Sequence, residues 1–158
     1  MKETVEAGAE KVMKETVEAG TEKAAKEVVE AGSEKVGKVE KIEQMKEGGS
    51  YKEVRKNSNG EIEEVHHMPA DDISPLDRND GPAIKMDKTD HRETASWGSS
   101  IEAREYRAAQ REKIEKGDFR GALQMDIDDI MEKFPNKYDE AIKQMLEYVE
   151  KLELGGLI

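Results

Sequence analysis

Residues 64–100 read EVHHMPADDISPLDRNDGPAIKMDKTDHRETASWGSS, and the order of elements in this stretch decides the fold. It opens on the end of a short alternating segment, EIEEVHH, which predicts a β-strand. Pro69, Pro75 and Pro82 then punctuate a run rich in Asp, Ser and Asn, so an irregular loop follows the strand. PAIKM predicts a second strand. After it, Asp87 or Thr89 is placed to cap a helix that includes His91, Arg92 and Ala95. Strand, loop, strand and helix in this order bring the end of the first strand beside the first turns of the helix. Gly98-Ser99-Ser100 breaks that helix, and Ser99 or Ser100 starts the next, IEAREYRAAQREKIEKG.

Upstream, YKEVRK, NSNG and EIEEVHH read as two alternating segments around an Asn-Gly turn, a β-hairpin signal. Downstream the period is helical. Asp118 precedes Phe119, Leu123, Ile127, Ile130 and Met131, spaced for one face of a helix that ends at Pro135. Tyr138, Ala141, Ile142, Met145, Val149 and Leu152 recur at three and four residues, the pattern of an amphipathic helix. These apolar positions are expected to be core.

The first 37 residues repeat with period 12: KETVEAGAEKVM, KETVEAGTEKAA and KEVVEAGSEKVG. Twelve residues of α-helix advance about 1200°, so each repeat is rotated by roughly a third of a turn and no straight apolar stripe results. Gly8, Gly20 and Gly32 each cost helix about 1 kcal/mol relative to alanine. Residues 1–47 therefore read as a helical stalk or a linker, with Gly48-Gly49-Ser50 as the hinge and residues 51–154 as the functional domain. Removing 1–47 is expected to leave activity in place.

Composition limits the possibilities further. Hydrophobic residues make up 35% and charged residues 40% of the 158, a thin apolar supply that suits one modest domain and an appendage. With no cysteine, a disulfide framework and any thiolate metal site are excluded, which leaves His, Asp, Glu and Asn as ligands. No apolar run approaches the roughly 18 residues that span a bilayer, and the N-terminus is charged where a signal peptide would be apolar. Export would need another segment or machine. The net charge of -11 argues against bulk electrostatic binding of nucleic acid, although most of the arginines lie between residues 51 and 120, where phosphate contacts can be local.

All three histidines, His66, His67 and His91, fall within this central region. Successive strand residues point to opposite sides, so His66 and His67 cannot chelate one ion together and must divide the labour. One turns toward the helix as a metal ligand with His91. The other faces a substrate as general base, with an ordinary pKa near neutrality. Glu64 shares a strand face with His66, where it can orient a ligand, pair with a basic residue or touch a metal. A base and one divalent ion can supply what phosphodiester hydrolysis needs. Arg78 and Arg92 flank the histidines and are candidates for phosphate binding. Asn79 is placed either to brace the loop or simply to form a turn beside Asp80-Gly81. Trp97 is expected to pack under the helix, the alternative being to stack on a base.

This stretch resembles the HNH/endonuclease VII nuclease toxins that carry an EHHH signature, with Glu64, His66, His67 and His91 in the signature positions. The EVHH portion is similar to the start of the HNH motif of DNase colicins, and the resemblance extends through GPAIKM, Asp90-His91 and TASWGSS over about residues 51–147. It implies an α+β fold with a ββα-metal core, C-terminal helices and an N-terminal stalk. It further implies a metal-dependent endonuclease at the C-terminus of a secreted polymorphic toxin, acting on DNA or RNA in a target-cell cytoplasm and blocked by a cognate immunity protein. His66 and His91 would hold a divalent ion, Mg2+ or Zn2+, and His67 would be the base. The colicin-like motif has a further histidine where this chain has Ala95, which leaves that place to a water, Asp90 or Asp87. The competing reading is a non-catalytic helical adaptor in which the histidines are incidental.

Overall fold

The computed structural model describes residues Met45–Ile158; the period-12 repeat, and the stalk reading of 1–47 up to residue 44, lie outside them. Strand β1 (Gly48–Ser50) is followed by helix α1 (Tyr51–Lys56), β2 (Glu63–His67), a 3-10 turn (Asp71–Ile73), β3 (Pro82–Asp87), and helices α2 (Lys88–His91), α3 (Ile101–Glu115), α4 (Phe119–Lys133) and α5 (Asp139–Leu154). The described residues form an α+β fold, a three-stranded antiparallel sheet with five helices. Its strand order is β1-β3-β2. No helix among the described residues is long and apolar enough to cross a membrane.

The expected strand, loop, strand and helix are present, but the hairpin is not. YKEVRK is helix α1, and β2 pairs instead with β3. Two local reasons account for this. Tyr51 and Val54, the buried residues of the segment, are three apart, a helical spacing. Ser50 and Glu53 carry the Ser-x-x-Glu capping-box signature: the Glu53 amide donates to Ser50 Oγ at 3.4 Å, and the Ser50 hydroxyl donates to the Glu53 carboxylate at 3.2 Å.

Gly48-Gly49-Ser50 is likewise a strand where a hinge was expected. It pairs with β3 in the register Gly48↔Ile84, Gly49↔Ala83 and Ser50↔Pro82. At Gly48 the glycine is needed for close approach, since a Cβ there would run into the Ala141 carbonyl and lie 2.8 Å from the Met145 amide nitrogen of α5. Gln144 Oε1 secures the same contact by accepting from the amides of Glu47 at 2.9 Å and Gly48 at 3.1 Å.

Met68, Ile84 and Met86 from the sheet and its exit pack against Leu123, Ile127 and Ile130 of α4 and Ala141, Ile142, Met145 and Val149 of α5. Burying each large apolar side chain contributes about 1.5–3 kcal/mol, so this cluster dominates the stability. The α5 face is as the sequence predicts. On α4 the buried face runs Phe119, Leu123, Ile127, Ile130, whereas Met131 is 48% exposed. Ser100 and Asp118 cap α3 and α4 by accepting from the amides of Ala103 and Gly121.

One polar cluster is buried between α3 and α4. Asp126 accepts from Tyr106 Oη at 3.1 Å and Gln110 Nε2 at 2.8 Å. Burial, only partly offset by these bonds, pushes its carboxyl up to about 7.

Two outcomes follow from these contacts. A chain beginning at Gln44 should show a cooperative circular-dichroism melt, whereas one beginning at Tyr51 loses β1 and should be at least ~2 kcal/mol less stable. For Asp126, the folded-state pKa lies above the unfolded value, so its contribution is full in acid and lost as pH rises through about 7. Melting temperatures should therefore fall between about pH 4 and pH 7, and Asp126→Asn should flatten that fall by several degrees.

Candidate functional site

Alternation along β2 sends its two terminal histidines to opposite faces of the sheet. His66, opposite Ile84, is 3% exposed and turns toward α2, where the His91 ring lies edge-on with centroids 4.9 Å apart. No hydrogen-bond partner reaches His66 Nε2. An unpartnered buried polar atom costs about 1–3 kcal/mol, which marks this nitrogen as a position built for something else. Burial, reinforced by His91 and His67, holds the His66 pKa well below its ordinary value, which keeps the ring neutral.

His91 is the last residue of α2. Its Nδ1 donates to the Glu64 carboxylate at 2.6 Å, which assigns the proton to Nδ1 and leaves Nε2 as the ring's acceptor. Glu64 also accepts from Arg92 at 3.2 Å. The hydrogen bond from His91 foremost, with that from Arg92 and against the opposing effect of burial, holds the Glu64 carboxyl below the usual carboxylate range. The predicted residues Glu64, His66, His91 and Arg92 are thus brought together.

On the other face His67 stacks on Tyr51 with ring centroids 4.1 Å apart and planes 14° from parallel. Its Nε2 donates to the Arg78 backbone carbonyl at 2.9 Å, which leaves Nδ1 as an unprotonated acceptor. Burial lowers its pKa, opposed by that hydrogen bond and by Asp71. Gly81 lets the loop close over the ring, because a Cβ there would lie 3.0 Å from His67 Cδ2. Sequence reasoning expects this histidine to face outward. It is only 9% exposed, reached through a cleft of about 250 Å³ that His66, His91, Asp71, Arg78 and Trp97 also line.

Arg78 lines this cleft, whereas Arg92 lines a neighbouring depression with Ile62, Asp87 and Thr89; both are largely exposed. The Arg78 guanidinium lies 5.4 Å from the Tyr51 ring centre. Asn79 serves the turn: its carbonyl accepts from the Lys52 amide at 3.1 Å, while Asp80 and Gly81 donate to Asp77. Trp97 is not packed under a helix; it is 44% exposed, with Arg92 over its ring at 5.7 Å.

Helix α2 is shorter than its sequence suggests. The Thr94 hydroxyl donates to the His91 carbonyl at 2.7 Å and the Ala95 amide turns to Asp129 at 2.8 Å, so the chain leaves the helix before Arg92 and Ala95 can join it. Neither Asp87 nor Asp90 is free to replace the histidine missing at Ala95, because both carboxylates pair with Lys137. Tyr138 completes this clamp by donating to Asp90 at 2.6 Å and accepting from the Asp87 amide at 3.1 Å. Burial, together with Asp90, pushes the Tyr138 hydroxyl up to about 12. Among the described residues no group of three or more His, Asp or Glu side chains is placed to hold a metal ion, and the nearest approach of two imidazoles is that of His66 and His91 at 4.9 Å between ring centroids. Of that pair, His66 has an unpartnered Nε2 and His91 is braced by a carboxylate through Nδ1.

No protein family, curated protein or solved structure matches the chain. Sequence reasoning missed Tyr51, Lys137 and Tyr138. Lys137 and Tyr138 sit just after Pro135 and carried no signal beyond helix onset; the capping box at Ser50 and Glu53 was the available clue to Tyr51.

Tyr138→Phe keeps the buried ring but removes the hydroxyl that joins α5 to α2. It should cost about 1–3 kcal/mol in urea denaturation and shift the His91 ring resonances in NMR, while the Trp97 indole resonance moves little.

Proposed function

We propose that this chain is a metal-dependent endonuclease in which β2, β3 and α2 form a ββα-metal core of the HNH/endonuclease VII kind. The observation that carries the reading is the unpartnered, buried Nε2 of His66 beside the free Nε2 of His91. A non-catalytic adaptor has no use for that nitrogen.

A divalent ion held by His66 and His91 would neutralise charge on the phosphate and on the departing oxygen. Two imidazoles suit Zn2+ better than Mg2+, which prefers oxygen donors. Glu64 fixes the His91 ring through Nδ1 and so presents Nε2 inward. His67 Nδ1 accepts a proton from a water whose oxygen forms the new bond to phosphorus as the P–O3′ bond breaks, and the 3′ oxygen takes up a proton from solvent. The carbonyl of Arg78 keeps His67 in the tautomer this requires, and burial keeps it neutral below its ordinary pKa. Arg78 and Arg92 supply local positive charge for DNA, or RNA, on a chain whose total is -11. The same reading places the domain in a secreted toxin acting inside a target cell and held in check by an immunity protein. Because the chain is acidic, that inhibitor need not be a strongly acidic mimic of DNA.

A plasmid-nicking assay on the purified chain, with Zn2+ or Mg2+ and with chelator, tests the proposal. Cleavage should require metal, and His67→Ala should lower it roughly 100-fold or more while leaving the metal-binding isotherm in place. His91→Ala should weaken both by calorimetry and by rate. Cleavage that survives chelation, or a His67→Ala chain as active as wild type, would overturn it.

A further inference from the structure

Trp97 is the single tryptophan of the chain, and it stands partly exposed at the edge of the cleft that His66, His67 and His91 line. Its position is held through the backbone on both sides. From α3, Arg107 Nη1 donates to the carbonyls of Ser96 at 2.6 Å and Gly98 at 2.9 Å, the residues flanking the indole, and Arg107 Nε is itself paired with Asp72 at 3.4 Å. The Trp97 amide donates to the Thr94 carbonyl at 3.1 Å, and Gly98 turns the chain with a φ of +87° that only glycine adopts easily. A loop clamped in this way, with its one large aromatic left in water, spends ordering without burying the apolar side chain.

We propose that Trp97 is a stacking platform for an unpaired nucleobase adjoining the phosphate presented to His67, so that the substrate is a single-stranded or locally unpaired nucleic acid. This deepens the nuclease reading and rests on it. Inside a regular duplex both faces of a base are covered by its neighbours, and only an unpaired or extruded base offers a face to an indole. Arg92, over the Trp97 ring and also bonded to Glu64, puts a cation beside the indole for a phosphate that flanks the stacked base. On a chain of net charge -11, counterion release contributes little to binding, so one base stack is a large share of it.

Because Trp97 is the sole tryptophan, its emission reports on the site directly, without turnover. The full chain, in chelator, is titrated with poly(dT), poly(U) and the poly(dA)·poly(dT) duplex. Either single strand should quench and shift the indole emission, and the duplex should not; the stronger arm identifies the sugar. Anisotropy of labelled single strands should show about 10-fold weaker binding for Trp97→Ala and near wild-type binding for Trp97→Phe. Single-strand binding with unchanged emission, or an unaltered Kd for Trp97→Ala, would overturn the platform even if the chain cleaves plasmid. Quenching by single strands in a chain that cleaves nothing with any metal would retain the platform and overturn the nuclease. A chain that binds no single strand at all overturns the platform outright.

Discussion

The pairing register of β2 on β3 is the constraint from which the site follows. With His66 opposite Ile84 and His67 opposite Ala83, the pleat directs one imidazole to α2 and the other to α1. A slip of one residue would exchange the two faces and dismantle both environments. The register is secured from the far side of the sheet: β1 pairs with the other edge of β3, and α5 lies against β1 where Gly48 admits it and Gln144 binds the amides of Glu47 and Gly48. The C-terminal helix that forms the core thereby also fixes where the histidines point.

The two faces solve the problem of burying an imidazole differently. His67 is satisfied by a backbone carbonyl and a stacked ring, whereas His66 is left with an unmet nitrogen. Both are held neutral by burial. The charge of the site resides instead in Glu64 and Arg92, the carboxylate being held ionised by its bonds from His91 and Arg92. Such a division keeps a lone pair available on each face of one short strand.

Much of this was legible where a periodic pattern is long or a cap is explicit. β2, β3, the starts of α3 and α4 at Ser100 and Asp118, and the buried face of α5 all follow from the sequence. Failures occurred where one residue type serves two ends. Gly48 reads as a hinge because a glycine needed for close approach looks the same as one needed for flexibility. YKEVRK is too short to show its period, and its capping box was the stronger signal. The early end of α2 depends on Thr94 and on Asp129, which lies far along the chain. Glu64, His66 and His91 could be grouped from motif spacing, but the orphaned nitrogen, the Tyr51 stack and the exposure of Trp97 depend on packing that no local pattern encodes.

The partner of His67 Nε2 is a main-chain oxygen, and this has an evolutionary meaning. Every amino acid at position 78 would present the same carbonyl, so no point mutation there can delete the bond as long as the loop keeps its path. Substitution of Arg78 would alter the charge offered at the rim while leaving the tautomer of the imidazole behind it untouched. Gly81, whose missing Cβ lets the loop approach the ring, is instead where drift would be felt. The molecule has separated what can vary from what cannot: the grip on a ligand can be retuned by mutation while the proton inventory of the site is inherited unchanged with the backbone.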